Sequence, residues 1–196
     1  MGYPWDPFPL PLLGDPHDSV LFEALGRALE RWEQVELGLS FMYSLFVGDP
    51  TFHRMRDYGA GKIFRDRLTS LRLASDAWFI RNSNQAMEGR FDRLASAAEG
   101  FADRRNEIAH GLVVDVRGIT FWHATMTLAS PRSPHFLLVP PLHYLRKHDE
   151  TGMPKYGYSS AELNALRRHL EDLEVAIHRF KSDLWPTQWP EAQPGP

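Results

Sequence analysis

Leu21, Leu25, Ala28, Trp32, Val35, Leu39, Met42 and Phe46 follow one another at alternating steps of four and three residues. That spacing lines one face of a single α-helix about seven turns long. A stripe so narrow and so long has to be buried against other helices, which constrains the chain to helix-on-helix packing. Asp18 or Ser19 can cap the start of this helix, and Gly48-Asp49-Pro50 stops it.

The pattern recurs. A second helix is expected from near Lys62 to Phe79, with Phe64, Leu68, Leu71 and Trp78 on one side. A third is expected from about Gln85 to His110 along Phe91, Leu94, Ala98, Phe101, Arg105 and Ile108, with Gly111 where a left-handed C-cap belongs. The last helix opens with a capping box, Ser159 to Glu162, and carries Leu163, Leu166, Leu170, Leu173, Ile177, Phe180 and Leu184.

Residues 112–128 and 135–140 are instead rich in β-branched and aromatic side chains, so two or three short strands are expected, with Arg117-Gly118 as a turn. Residues 146–158 read as a loop. No internal repeat is visible. The expected fold is all-α, an antiparallel bundle of four to five helices with a small β-strand insertion at about 112–140. Five prolines in the first sixteen residues make 1–17 a proline-rich arm, lying on its own domain or on a partner. The helical domain then covers 18–185, and 186–196 form a flexible tail.

Composition narrows the chemistry. The chain has no cysteine, which removes disulfides, thiolate nucleophiles and Cys-ligated metals. No run approaches the apolar length of a membrane span, and the first twenty residues lack the Lys or Arg of a secretory leader. A cytoplasmic protein with no membrane partner is expected. Net charge is −3, which does not mark a nucleic-acid binder. Residues 51–105, however, hold eleven Lys or Arg against seven Asp or Glu, a segment able to meet phosphates. Solvated helix faces account for the same charges.

One segment carries chemistry: Phe-Ala-Asp-Arg-Arg-Asn-Glu-Ile-Ala-His-Gly-Leu, residues 101–112. Arg105 stands on the apolar stripe, in register with Phe101 and Ile108, where a guanidinium is out of place unless it snorkels or works. His110 closes the helix, a position the helix dipole favours for a histidine in any case. Asn106 and His110 share a face at i,i+4, and Arg105 is about 140° from His110 around the helix. A phosphate gripped by the guanidinium can then meet an imidazole that exchanges protons. Glu107 can pair with His110, or with Arg104 in a surface ion pair, the preferred assignment.

The run Arg105-Asn106-Glu107-Ile108-Ala109-His110 at the end of a long helix resembles the signature of the HEPN domains: Arg, a polar residue, then His after about four intervening positions. The resemblance implies a metal-independent endoribonuclease, without cofactor, acting at the cleft of a homodimer. It implies Arg105 and His110 as catalytic residues, with Asn106 and Arg104 binding or orienting the RNA substrate. The products would carry 2′,3′-cyclic phosphate and 5′-hydroxyl ends, and a defence or stress role follows from the family alone. Toxins of this family that are paired with a nucleotidyltransferase carry Tyr two places after the His. Leu112 stands there, which leaves a protein antitoxin as an open partner.

Other candidates are bland. His123, His135, His143 and His148 lack ligand spacing, so no metal site is expected. Tyr156 and Tyr158 can stack on bases but need no such role, and Ser159 is a cap. The alternative reading is a catalytically silent helical dimer that binds a nucleotide or a protein partner. A third makes the arm and the β insertion protein-docking surfaces.

Overall fold

The computed structural model describes residues 2–116, 120–121, 124–125 and 135–188. Among them are five α-helices: α1 (Asp18–Phe46), α2 (Met55–Gly59), α3 (Phe64–Arg81), α4 (Gln85–Ala109) and α5 (Ser160–Gln188). Strands β1 (Leu112–Asp115) and β4 (Phe136–Val139) pair antiparallel, as do the two-residue strands β2 (Thr120–Phe121) and β3 (Ala124–Thr125). The fold is all-α, a helical bundle with a small β insertion. No helix among the described residues is long and apolar enough to cross a membrane.

The stripes that define the helices are the core. In α1, Leu21, Ala28, Trp32, Val35, Leu39, Met42 and Phe46 are each at most 1% exposed, while Leu25 is only half-buried and Ala24 is buried beside it. All seven stripe residues of α5 are buried. Each such Leu, Ile or Phe contributes about 1.5–3 kcal/mol on leaving water, far more than local propensity supplies.

The chain divides into two compact units. One comprises Met1–Trp32 and Asp103–His169. Here β4 is flanked on one edge by β1, in register Leu112↔Val139 to Asp115↔Phe136, and on the other by Tyr158, which exchanges two backbone hydrogen bonds of 2.9 Å with Leu138. Val116, Leu137 and Val139 form a small apolar cluster on which Leu10 and Val114 pack. The proline-rich arm therefore lies on its own unit. Asp15 ties it down twice: its backbone bridges Phe136, and its carboxylate accepts the Ser160 N–H at 2.6 Å and the Ser160 hydroxyl. The capping box is formed, with Ser159 N–H donating to Glu162 Oε2 at 2.8 Å and Ala161 N–H donating to Ser159 Oγ at 3.2 Å.

The other unit comprises Glu33–Ala102 and Leu170–Pro196. Its centre is aromatic: the Phe46 ring lies 5.1 Å from Phe91, 5.7 Å from Phe79, 5.9 Å from Trp78 and 6.2 Å from Phe180. Gly38 brings α1 against α5, since a Cβ there would stand 2.8 Å from Ile177 Cγ2. Helix α1 ends as its sequence dictates. Gly48 takes φ +74°, its N–H reaches the Leu45 carbonyl, and the Asp49 N–H reaches that of Ser44, a Schellman motif.

Several expectations are corrected. Helix α2 carries no periodic signal, being five residues long. It follows a turn in which the Asp49 carboxylate accepts the N–H groups of Thr51 at 3.0 Å and Arg54 at 2.7 Å. Gly111 has no positive φ and makes no left-handed cap; a Cβ there would stand 2.7 Å from both Cγ and Cδ1 of buried Leu138, so close approach explains it. The 146–158 loop is anchored, with Tyr156, Tyr158 and His148 buried and a 3-10 turn at Leu145–Lys147. Helix α5 continues to Gln188, beyond the expected start of the tail at 186. The Arg117-Gly118 turn, His123 and the tail beyond 188 lie outside the described residues.

Candidate functional site

The end of α4 presents two guanidiniums in succession, and the helix turns them to different environments. Arg104 is 7% exposed. Its Nη2 pairs with Glu107 Oε1 at 3.0 Å, one turn along the same helix. Glu107 Oε2 in turn accepts the hydroxyl of Tyr158, held in place by the Leu138 bridge and by the edge of Phe8 at 5.8 Å. The ion pair expected on the surface is thus a buried one. Arg104, expected beside Asn106 as a substrate-binding or orienting group, orients the helix end from within.

Burial governs the electrostatics of this triad. Removal from water pushes the Glu107 carboxyl above its ordinary value, while the Tyr158 hydrogen bond and the Arg104 charge pull the other way without winning. The Tyr158 phenol is pushed up by burial first and by Glu107 second, which fixes it as the hydrogen donor. Tyr156, raised by the same two causes, has a buried hydroxyl without a hydrogen-bond partner among the described residues. Both tyrosines are too buried to stack on a base.

Arg105 is half-buried, and its Nη1 donates to Asn106 Oδ1 at 3.3 Å. The backbone carbonyl of Asn106 accepts the His110 N–H at 3.2 Å. The Asn106 side chain therefore meets Arg105, while its bond to His110 is the backbone bond of the helix turn. Asn106 and His110 are exposed. Five residues of helical rise put about 7.5 Å along the axis between Arg105 and His110. Neither Glu107 carboxylate oxygen is bonded to His110; both are engaged elsewhere. What this end of α4 offers solvent is an imidazole, an amide and the edge of a planar cation, a set suited to an anionic oxygen.

No family model, curated protein or solved structure matches this chain. The site therefore stands on its own geometry.

The remaining histidines among the described residues do not converge. His135 Nε2 lies 3.8 Å from Asp115 Oδ2, and buried His148 uses Nδ1 on the Tyr144 carbonyl at 3.1 Å. Among the described residues no group of three or more His, Asp or Glu is placed to hold a metal ion. Tyr158 is the site residue that sequence reasoning missed. It is 51 positions from Glu107, and nothing in a run of loop aromatics marks the one whose hydroxyl meets a buried carboxylate.

Proposed function

We propose that this chain is a metal-independent endoribonuclease of HEPN type, acting as a homodimer. The observation that carries the reading is that exposed His110 and half-buried Arg105 share the terminal turns of α4, with Asn106 bonded to the Arg105 guanidinium between them in sequence. The all-α fold and the position of the motif at the end of a long helix support it.

In this reading His110 takes the proton from a ribose 2′-hydroxyl. The freed oxygen attacks the adjacent phosphorus, the P–O5′ bond breaks, and the imidazolium of the second copy protonates the departing oxygen. Arg105 stabilises the charge that builds on the non-bridging oxygens. Asn106 orients Arg105 and RNA. Buried Arg104, paired with Glu107, holds the last turn that carries all three.

The test is RNA cleavage in EDTA by the wild type, His110→Ala and Arg105→Ala, with end-group analysis. The expected result is cleavage by the wild type to 2′,3′-cyclic phosphate and 5′-hydroxyl ends, and a loss of roughly 10²–10⁴-fold in each variant. Equal activity in all three removes the assignment. One observation favours a second reading, a silent module that binds a nucleotide: burial of Arg104 leaves the segment with a single outward guanidinium. Saturable nucleotide binding by calorimetry without RNA turnover would select it.

A further inference from the structure

The unit built from Glu33–Ala102 and Leu170–Pro196 contains an open cleft of about 410 Å³, formed by α1, the loop after it and α5. Its wall is aromatic. Phe52 meets Phe41 edge-on at 4.9 Å and lies nearly parallel to Trp185 at 5.8 Å, with Leu45 beside them. Phe52 takes φ +59°, the one positive φ at a non-glycine among the described residues. L-residues avoid that conformation, and such positions persist where tertiary contacts over-determine them, often at ligand clamps.

A cation stands over this wall. Lys181 Nζ is 4.6 Å from the centre of the Phe41 ring, and His178 lines the cleft one turn earlier on α5. Among the described residues the Lys181 ammonium makes no hydrogen bond or ion pair. Burial lowers its pKa, and the field of Glu174 opposes that shift only in part. A half-buried ammonium on an aromatic face, without a carboxylate of its own, is under-compensated, and an incoming anion would restore what water no longer provides.

We propose that this cleft binds a small planar aromatic monoanion, an aromatic carboxylate, with its ring against Phe41, Phe52 and Trp185 and its carboxylate on Lys181. The volume suits a ligand of one or two fused rings. One ammonium on the wall matches a single negative charge, and Glu174 in its field, with no second fixed cation among the described lining residues besides the His178 imidazole, disfavours a doubly charged phosphate monoester. The inference uses none of the residues at the end of α4, so it stands or falls separately from ribonuclease activity.

Calorimetric titration of the full chain with indole-3-acetate, its neutral analogue indole-3-acetamide, and adenosine monophosphate tests the proposal. The expected result is saturable binding of the acetate, with the acetamide roughly tenfold weaker, equivalent to about 1.4 kcal/mol. Lys181→Met should bring the acetate down to the level of the acetamide and leave the acetamide unchanged. Lys181→Arg should retain the preference for the acetate, and Lys62→Met, outside the cleft, should bind as the wild type does. RNA cleavage should be the same in Lys181→Met as in the wild type. The wild-type comparison needs no variant to fold. No saturable binding at millimolar acetate, equal affinity for acid and amide, or tighter binding of adenosine monophosphate would each overturn the assignment.

Discussion

The Tyr158 hydroxyl donates to the Glu107 carboxylate across 51 positions of sequence, and Glu107 uses its other oxygen to hold Arg104. This couples the last turn of α4 to the segment that leads into α5, within the same compact unit. The hydrogen bond is to a charged, poorly hydrated acceptor, the class that matters most when it is lost. Tyr158→Phe is expected to cost about 1.5–3 kcal/mol in urea unfolding while leaving the fold intact by circular dichroism.

Adjacent arginines should behave differently. Arg104→Met leaves Glu107 buried without its cation, and about 3–5 kcal/mol of stability should be lost. Replacing Arg104 and Glu107 together by Met and Leu should recover much of it, because no charge is then stranded. Arg105→Met retains an apolar stem on a half-buried position and should cost less than about 1 kcal/mol. Thermal or urea unfolding of the three variants measures the contrast. Equal losses for Arg104→Met and Arg105→Met would mean that burial does not separate the two side chains.

Glu107 makes stability depend on pH with a definite sign. Its folded pKa lies above the unfolded one because burial disfavours the carboxylate. The folded state then binds the proton more tightly, so the contribution of Glu107 is largest below the unfolded pKa and is lost as pH rises through the folded one. Asp49 has the opposite sign. A hydrogen bond from the Thr51 hydroxyl holds it below the usual carboxylate range, so its contribution is present above the unfolded pKa and is lost as pH falls through the folded one. Urea midpoints across the acidic range, wild type against Glu107→Gln, isolate the first effect. The stability advantage of the wild type over the variant should shrink as pH rises.

The arm is anchored by Asp15, whose carboxylate satisfies the first N–H of α5 at 2.6 Å. Asp15→Ala removes a cap-like acceptor and should cost about 0.5–2 kcal/mol. Hydrogen exchange should accelerate at Ser160 and in the residues preceding α1. Unchanged exchange there would mean that the backbone bridge to Phe136 holds the arm by itself.

Two glycines should fail for different reasons. Gly48→Ala meets no atom within 4 Å, and its cost of about 1 kcal/mol comes from the positive φ alone. Gly111→Ala drives a methyl into Leu138 and should cost about 1–3 kcal/mol. Only the second penalty should shrink in a Leu138→Ala background, a pattern that unfolding of the five variants, Leu138→Ala among them, would show.

The helices are legible in the sequence because a period of 3.6 residues is a property of neighbours in the chain. The steps from Leu21 to Phe46 and from Leu163 to Leu184 state both the element and its buried face. Start and stop signals are local as well, as the Ser159–Glu162 box and the Gly48 turn show. The Arg105, Asn106 and His110 constellation can be read for the same reason, since one helix end holds all three.

Which of two consecutive arginines is buried is not written in that local pattern. The stripe puts Arg105 on the seam, yet Arg104 is the one enclosed, because Glu107, itself held by a tyrosine from a distant segment, compensates its charge there. Sequence spacing fixes the angle of a side chain about its own helix. Whether a charge can be buried at that angle depends on partners that only the folded chain brings within hydrogen-bonding distance.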